Sequence, residues 1–490
     1  MEKKTLFDFV YQDLKEQITT GRLAHGDSLP SAARLCEIYH VGIRTVKDVL
    51  ARLKSEGLIH TEARKAATVT HPQPDAGAAE LAAVQSILRQ SSLILEGYET
   101  MALLMPSLFF FCARQCGSPD SIHHAIQFTR HTRNRKWLFI HKATSTFLRS
   151  LLKESGNLLF SDMYASLEIL AQVPLAQQHK HPFLQYVEMP GHKTIPWVLE
   201  SLEKNNLEMV TQRFQIFYRS VGQTVGEYLD RLSLEHPNVT DDGACTFSWN
   251  AGMRYNHYYL QIARELINKI GTGYYQKGTF LPPEAALANE YKVSVVTVRK
   301  ALAVVNQAGF ARTLNGKGTL AGLQSEQDTL QAMKDKGNRL DTLHYLSALQ
   351  LMALIIYPSA LLVFDRLDSS EQARMEAAMQ SDPFNIPINV ILLRIIDLVP
   401  LRPVKTILTE VKNLTLWGYY FAFFDYGTQS KNLLTQKSLE AFSCLKKGDS
   451  KGFAANLSGC YCHIFDTVRN YISKRGLPEA KKLKSPNIFL

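Results

Sequence analysis

The sequence predicts a mainly α-helical protein in which two small heads, each with a β-hairpin, alternate with two all-α helical bundles. Two observations lead to this prediction. The chain of 490 residues repeats itself at a fixed distance, and apolar residues recur at helical spacing through most of both copies. Hydrophobic residues make up 46% of the chain and charged residues 20%, which is typical of a folded protein with ample core material.

The repeat is clearest in the heads, where a shift of 252 positions aligns the two copies without a gap. Identical residues at this shift are Ile18 and Ile270, Gly26 and Gly278, Leu29-Pro30 and Leu281-Pro282, Thr45-Val46 and Thr297-Val298, and Gly57 and Gly309. Pro106-Ser107 aligns with Pro358-Ser359 at the same shift, which indicates that the bundles are duplicated as well.

We expect four domains, because segments rich in turn residues separate the copies. These domains are a head at residues 1–72, a bundle at 80–233, a second head at 253–322 and a second bundle at 328–475. The basic tail at 474–486 is expected to be loosely held.

One segment, 346–364, is long and apolar enough to span a membrane. Polar residues and Pro358 interrupt it, and a similar stretch occurs at 100–112 in the first copy. Two short, proline-containing apolar segments at matching places in a duplicated chain favour buried core helices, with a membrane span as the alternative.

Each head shows the order of a winged helix-turn-helix, which is three helices and then a hairpin. In the first head the predicted helices and β-prone runs are 6–19, 32–39, 43–56, 58–60 and 68–70. In the second head the third helix is predicted at 295–308 with Ser294 as its cap, and the tip of the hairpin at 315–319. A third helix of this kind fits the major groove of B-DNA.

The repeated pattern resembles the DNA-binding domain of the GntR family of bacterial regulators. The pattern is Gly-(Asp/Thr)-x-Leu-Pro followed by Leu-x-x-x-Tyr-x-Val-(Gly/Ser)-x-x-Thr-Val-(Lys/Arg), and the resemblance covers residues 6–70 and 255–320. It implies a DNA-binding transcription regulator. Two arginines typical of the family are replaced, the first by Ala33 or Ala285 and the second by Ile43 or Val295. We therefore expect a sequence preference different from the common operator of the family.

The residues expected to contact DNA lie on the third helices and on the hairpins, or wings. They are Arg44, Thr45, Lys47, Arg64 and Lys65 in the first head, and Ser294, Thr297, Arg299, Lys300, Lys317, Gly318 and Thr319 in the second. The first wing lacks the Gly-x-Gly-Thr tip of the second. A protein in which only the second head binds DNA is therefore one alternative.

The bundles weakly resemble the ligand-binding domain of the FadR subgroup of GntR regulators, in which an aspartate and three histidines often hold a metal. The corresponding positions fall near Ile195 and Phe217, and near Ser438 and Cys460, while His141, His192 and His463 are out of register. We therefore expect no metal and no other cofactor. A small-molecule effector in the apolar bundles is one interpretation, and bundles that only pack the two halves together are the other.

The function predicted from these features is that of a sequence-specific transcription regulator whose two heads act as an intramolecular pseudo-dimer on double-stranded DNA with two half-sites. A net charge of +10 agrees with a nucleic-acid partner. The sequence contains no glycine-rich phosphate loop, so we do not expect an enzyme. We expect a cytoplasmic protein that does not bind a membrane. A protein–protein adaptor and further assembly into a homo-oligomer remain open.

Overall fold

The computed structural model confirms the predicted fold class, since the described residues are mainly helical with two small antiparallel hairpins. The described residues are 43–62, 67–70, 84–115, 119–131, 137–171, 195–241, 243–249, 251, 258–271, 273–322, 336–381, 386–415 and 427–489, with residue 81 and shorter pieces between 7 and 35. The domain boundaries derived from the sequence stay predictions.

The first head contains the predicted third helix and hairpin. Helix α1 is Ile43–Ser55, and strands β1 (Ile59–His60) and β2 (Thr68–Val69) pair antiparallel. Gly57 follows α1 with a φ of 71°, the left-handed conformation that commonly ends a helix. Most residues of the two earlier predicted helices lie outside the described part of the chain, and those that are described are helical.

The first bundle follows. Its helices are α2 (Ser91–Gln115), α3 (Pro119–His131), α4 (Trp137–Glu154), α5 (Phe160–Ala171), α6 (Ile195–Glu203) and α7 (Leu207–Glu235). Helix α2 lies at the centre, because α4, α5 and α7 all pack against it.

The second head has the same order as the first. Its elements are α8 (Tyr258–Gly271), α9 (Glu284–Glu290), α10 (Val295–Gln307), β3 (Ala311–Leu314) and β4 (Gly318–Ala321). Helices α8 and α9 both pack on α10, which places α10 as the third helix of the motif.

The second bundle repeats the helical architecture of the first. Its helices are α11 (Lys336–Val363), α12 (Ser369–Ser381), α13 (Pro387–Leu398), α14 (Arg402–Thr415), α15 (Gly427–Lys446) and α16 (Ser450–Ser473). Helix α11 takes the central place that α2 has in the first bundle, and α14 and α16 pack against it.

The backbone hydrogen bonds of the two heads repeat at the shift of 252 positions seen in the sequence. These bonds join Gly26 N to Val69 O at 2.9 Å, Leu29 N to Ala67 O at 2.8 Å, Gly278 N to Ala321 O at 2.9 Å, and Leu281 N to Thr319 O at 2.8 Å. Gly26 and Gly278 have φ values of 90° and 85°, which favour glycine. The retained Gly-x-x-Leu-Pro segment therefore lies along the wing in both heads.

The two central helices, α2 and α11, pack against each other and join the bundles. Each contains an internal proline, Pro106 or Pro358, at repeat-related positions. Both helices are long and apolar enough to cross a membrane, but 78% and 83% of their most apolar windows are buried inside the protein. Such burial is that of core helices in a helical bundle.

The expectation of a loosely held tail is wrong. Residues Pro478–Lys482 form a short 3₁₀ helix, and Leu477 and Ala480 are fully buried against the second bundle. The amide of Gln350 donates a hydrogen bond to the Lys484 carbonyl at 2.7 Å, and Phe489 stacks on Tyr357. The apolar residues between the lysines hold the tail against the second bundle. A prediction from charge alone overlooks them.

A network of polar side chains holds the first head together at the end of α1. The Tyr11 hydroxyl donates to the Glu56 carboxylate at 2.6 Å, and Lys15 and Arg52 contact the same carboxylate at 2.9 and 2.8 Å. Hydrogen bonds from Tyr11, and then from Lys15, lower the pKa of Glu56 from 4.5 to about 2. The ionised carboxylate therefore joins the first helical segment to α1.

We predict that Glu56→Gln loosens the first head alone. Because the pKa of Glu56 is lowered in the folded state, its contribution is present above pH 4.5 and is lost as the pH falls toward about 2. Hydrogen exchange of α1 at pH 7 should be faster in the variant and exchange of α10 unchanged. The difference from the wild type, corrected for intrinsic exchange, should shrink as the pH falls below 4.5.

The control is Asp48→Asn, which removes an exposed carboxylate from the same helix. Equal exchange of α1 in the wild type and in Glu56→Gln would show that the network does not stabilise the head.

Candidate nucleic-acid interface

The third helix of the second head, α10, begins with a side-chain cap. Ser294 has extended backbone angles and its hydroxyl accepts a hydrogen bond from Thr297 N, which confirms the predicted cap. The hydroxyls of Ser294 and Thr297 also lie 2.9 Å apart. Both side chains therefore help to fix the start of α10, the part of a recognition helix that meets base edges.

The outer face of α10 carries Val296, Arg299 and Lys300, all of them exposed. The Arg299 Nε donates to a carboxylate oxygen of Glu284 on α9 at 2.7 Å, and the arginine side chain stays 65% exposed. This bond uses one of the five donors of the guanidinium and restrains its direction. Glu284 was not among the predicted site residues. Its position two residues after Pro282, directly after the Leu-Pro of the GntR-like pattern, is the sequence feature that could have identified it.

The wing of the second head turns over residues 315–317, and β4 begins at Gly318. The turn is therefore shorter than the predicted tip at 315–319. Lys317 is exposed at the turn. Thr319 is only 6% exposed, and its hydroxyl lies 3.1 Å from that of Thr313. The Thr319 side chain is therefore mostly buried, which disfavours its predicted contact with DNA.

The third helix of the first head presents Arg44 and Lys47 as exposed side chains, whereas Thr45 is half-buried. The apolar face opposite, with Val46, Val49 and Leu53, is fully buried in the core of the head. Arg64 and Lys65, predicted on the first wing, lie outside the described residues. The basic residues predicted on the third helices are thus exposed in both heads, and their contact with DNA stays a prediction.

In the second bundle, the two positions that the family resemblance assigned to metal ligands meet in the interior. The Ser438 hydroxyl lies 3.8 Å from the Cys460 sulfur, and both residues are buried. The hydroxyl donates to the Leu434 carbonyl, and burial raises the pKa of the Cys460 thiol to about 11. In the described part of the chain no group of three or more His, Cys, Asp or Glu residues is placed to hold a metal.

Sequence reasoning also missed a polar clamp on the linker between the two halves. Arg402, at the start of α14, binds Glu96 on α2 and donates to the Gly243 and Cys245 carbonyls at 3.2 and 3.1 Å. A second contact joins Trp249 Nε1 to Asp162 on α5 at 2.8 Å. The segment that leads to the second head is therefore fixed to both bundles. A lone arginine far along the chain gave no local signal of this role.

These features define a winged helix-turn-helix protein with two heads on one chain. A family model described as "Bacterial regulatory proteins, gntR family" matches residues 6–69 and 258–320, which are the two heads. The two heads are therefore DNA-binding domains of the GntR type, as their pattern predicted. The family and the names of relatives indicate a transcription regulator rather than an enzyme.

Relatives include proteins named "HTH-type transcriptional repressor NanR". The one from Enterobacter sp. (strain 638) is 28% identical over 171 residues, which is 34% of this chain and 65% of that protein. The one from Salmonella schwarzengrund (strain CVM19633) is 24% identical over 194 residues, or 38% of this chain and 73% of that protein. The matches thus span about two thirds to three quarters of these relatives.

Among solved structures, "E. coli McbR/YncC" is 16% identical and covers 44% of this chain and 98% of that chain, with a TM-score of 0.24. "Streptococcus agalactiae GntR" is also 16% identical and covers 42% of this chain and 99% of that chain, with a TM-score of 0.19. Scores this low carry no argument about the arrangement of the four parts.

We predict that Ser294→Ala loosens the start of α10. Loss of an N-cap side chain costs about 0.5–2 kcal/mol, because the Thr297 N–H loses its partner, whereas glycine costs only a few tenths. Hydrogen exchange of the first turn of α10 should therefore rise in Ser294→Ala and much less in Ser294→Gly or Ser294→Asp. Equal exchange in the wild type and Ser294→Ala would mean that the cap does not stabilise the helix.

Proposed function

We propose that this protein is a sequence-specific transcription regulator whose two heads bind the two half-sites of one operator in double-stranded DNA. The observation that carries the proposal is the exposure of basic side chains on both third helices, Arg44 and Lys47 on α1 and Arg299 and Lys300 on α10. Two such helices are suited to successive major grooves about one helical turn apart.

The two halves act as an intramolecular pseudo-dimer in this proposal. The contact between α2 and α11, which are related by the repeat, resembles the self-complementary contact of a symmetric dimer. Placing both heads on one chain makes the second DNA contact intramolecular, which raises the overall affinity. Assembly of two such chains into a larger oligomer is a further option that the same DNA-binding measurements would reveal as four half-sites.

Repression is the mode of action that the relatives favour, since their names describe transcriptional repressors. A regulator of this kind would act in the cytoplasm. A small-molecule effector would act by binding one arrangement of the bundles better than another, and so change the affinity for DNA. The clamp on the linker supports this coupling, because Arg402 contacts both bundles and the segment leading to the second head. An adaptor that contacts only proteins would not need the basic faces of α1 and α10.

The experiment is selection of genomic DNA fragments by the purified full-length protein at about 150 mM salt, which suppresses non-specific phosphate binding. We expect an enriched motif with two half-sites. Arg299→Ala should weaken one half-site and Lys47→Ala the other, by roughly 5- to 150-fold for a base-contacting side chain, which corresponds to about 1–3 kcal/mol.

The control is Arg231→Ala, which removes an exposed positive charge from α7 in the first bundle and should leave the motif and the affinity unchanged. A single half-site sensitive only to Arg299→Ala would favour the alternative in which the second head alone binds DNA. No enriched sequence would contradict the proposed function and favour the adaptor.

A further inference from the structure

The third helices of the two heads occupy the same place in the fold but present different side chains. Both helices have 13 residues, and Ile43–Ser55 and Val295–Gln307 coincide at the shift of 252 positions. In the first two turns, the positions exposed in both helices are Arg44 and Val296, Lys47 and Arg299, and Asp48 and Lys300. None of these pairs is identical, although the buried positions Val46 and Val298 are.

The second residue of each helix is charged in one head and apolar in the other. Arg44 carries a long cation, whereas Val296 carries two methyl groups and is 58% exposed to solvent. Residues in the first turn of a recognition helix meet the base edges in the major groove. There an arginine pairs with guanine O6 and N7, while an apolar side chain packs against the C5-methyl group of thymine.

The fifth residue of each helix differs both in type and in whether a neighbouring carboxylate binds it. Arg299 is bound through Nε to Glu284, and this bond does not use the four N–H groups on its terminal nitrogens. The first head has Lys47 at this place and Ala32 at the place of Glu284. A fixed guanidinium can bind guanine through two parallel hydrogen bonds, whereas a lysine acts as a compact charge with less directional preference. The carboxylate and the arginine thus occur together in one head and are both absent from the other.

We propose that the two half-sites of the operator are unlike each other, with thymine opposite Val296 and guanine opposite Arg299 in one, and guanine opposite Arg44 in the other. This inference rests on the proposed function and extends it. A homodimer of identical heads reads an inverted repeat, because both recognition helices have the same side chains. Here the two sets differ and are fixed on one chain, so the site has a direction and the protein binds it in one orientation.

The test begins with selection of the full-length protein on a random duplex library. Three further proteins are selected in parallel, namely Arg44→Val, Val296→Arg and the double swap. Both positions are exposed, so we expect normal folding, checked by circular dichroism. Val296→Arg should convert one thymine to guanine in its own half-site, and Arg44→Val should lose the guanine preference in the other. The double swap should exchange these two positions between the half-sites.

Two controls isolate the contact of Val296. Ala303→Arg adds the same charge two turns further along α10 at an exposed position, and it should leave the base preferences unchanged. Replacing the selected thymine by deoxyuridine removes only the methyl group. This change should weaken wild-type binding about fourfold, the value of one buried methyl group, and leave binding by Val296→Arg unaffected.

Other outcomes overturn the inference in distinguishable ways. A motif of two identical inverted half-sites would disprove the unlike half-sites and leave the proposed DNA-binding function intact. Equal binding of the thymine and deoxyuridine duplexes by the wild type would disprove the contact assigned to Val296. No enriched sequence, with wild type and variants alike, would overturn the proposed function itself.

Discussion

The packing of α2 against α11 is the constraint on which the rest of the structure depends. Each of these helices is the centre of its own bundle, and each also packs against the other. In α11 the run from residue 351 to 356 is at most 1% exposed, so its side chains meet other helices on every face. Burial of one large apolar side chain contributes about 1.5–3 kcal/mol, and separating the halves would expose many of them. The two bundles therefore share one continuous core.

Apolar packing alone does not determine how the two bundles are aligned against each other. Polar contacts between the bundles restrict this alignment. The amide of Asn157 donates to the Ser347 carbonyl and to the Gln350 side chain at 2.9 and 2.7 Å, with all three residues buried. At the start of α2, Asp241 of the linker accepts from Ser92 N at 2.7 Å, at the positive end of the helix dipole. Because an unpaired buried polar group costs about 1–3 kcal/mol, a shifted register of the bundles would be unfavourable.

How far the sequence determines this architecture depends on how local each signal is. The heads were predictable, since Gly57, Ser294 and the hairpin strands of the first head depend on a few residues of chain and were found where the pattern placed them. The site on α10 was predicted in outline, but its support by Glu284 was not, because the partner lies 15 positions away from Arg299. Contacts of still longer range, such as Arg402 with Glu96 across 306 positions, leave no periodic trace in the sequence. The prediction for the tail was wrong for a related reason, because the tail is buried by residues that are distant in sequence.

The two heads stabilise the same arrangement of helices with different side chains, and they differ in how they pack against the bundles. The first head joins its helices with polar contacts among Tyr11, Lys15, Arg52 and Glu56, and its described apolar residues form a core separate from that of the bundles. At the repeat-related places the second head has the apolar residues Ala263, Ile267, Val304 and Ala308. Its core is continuous with the bundles, and its Arg264 lies near Glu410 of α14, where burial raises the pKa of the carboxyl. Among the described residues, the second head is therefore packed into the core of the bundles, whereas the first head is held by its own core and its own polar network.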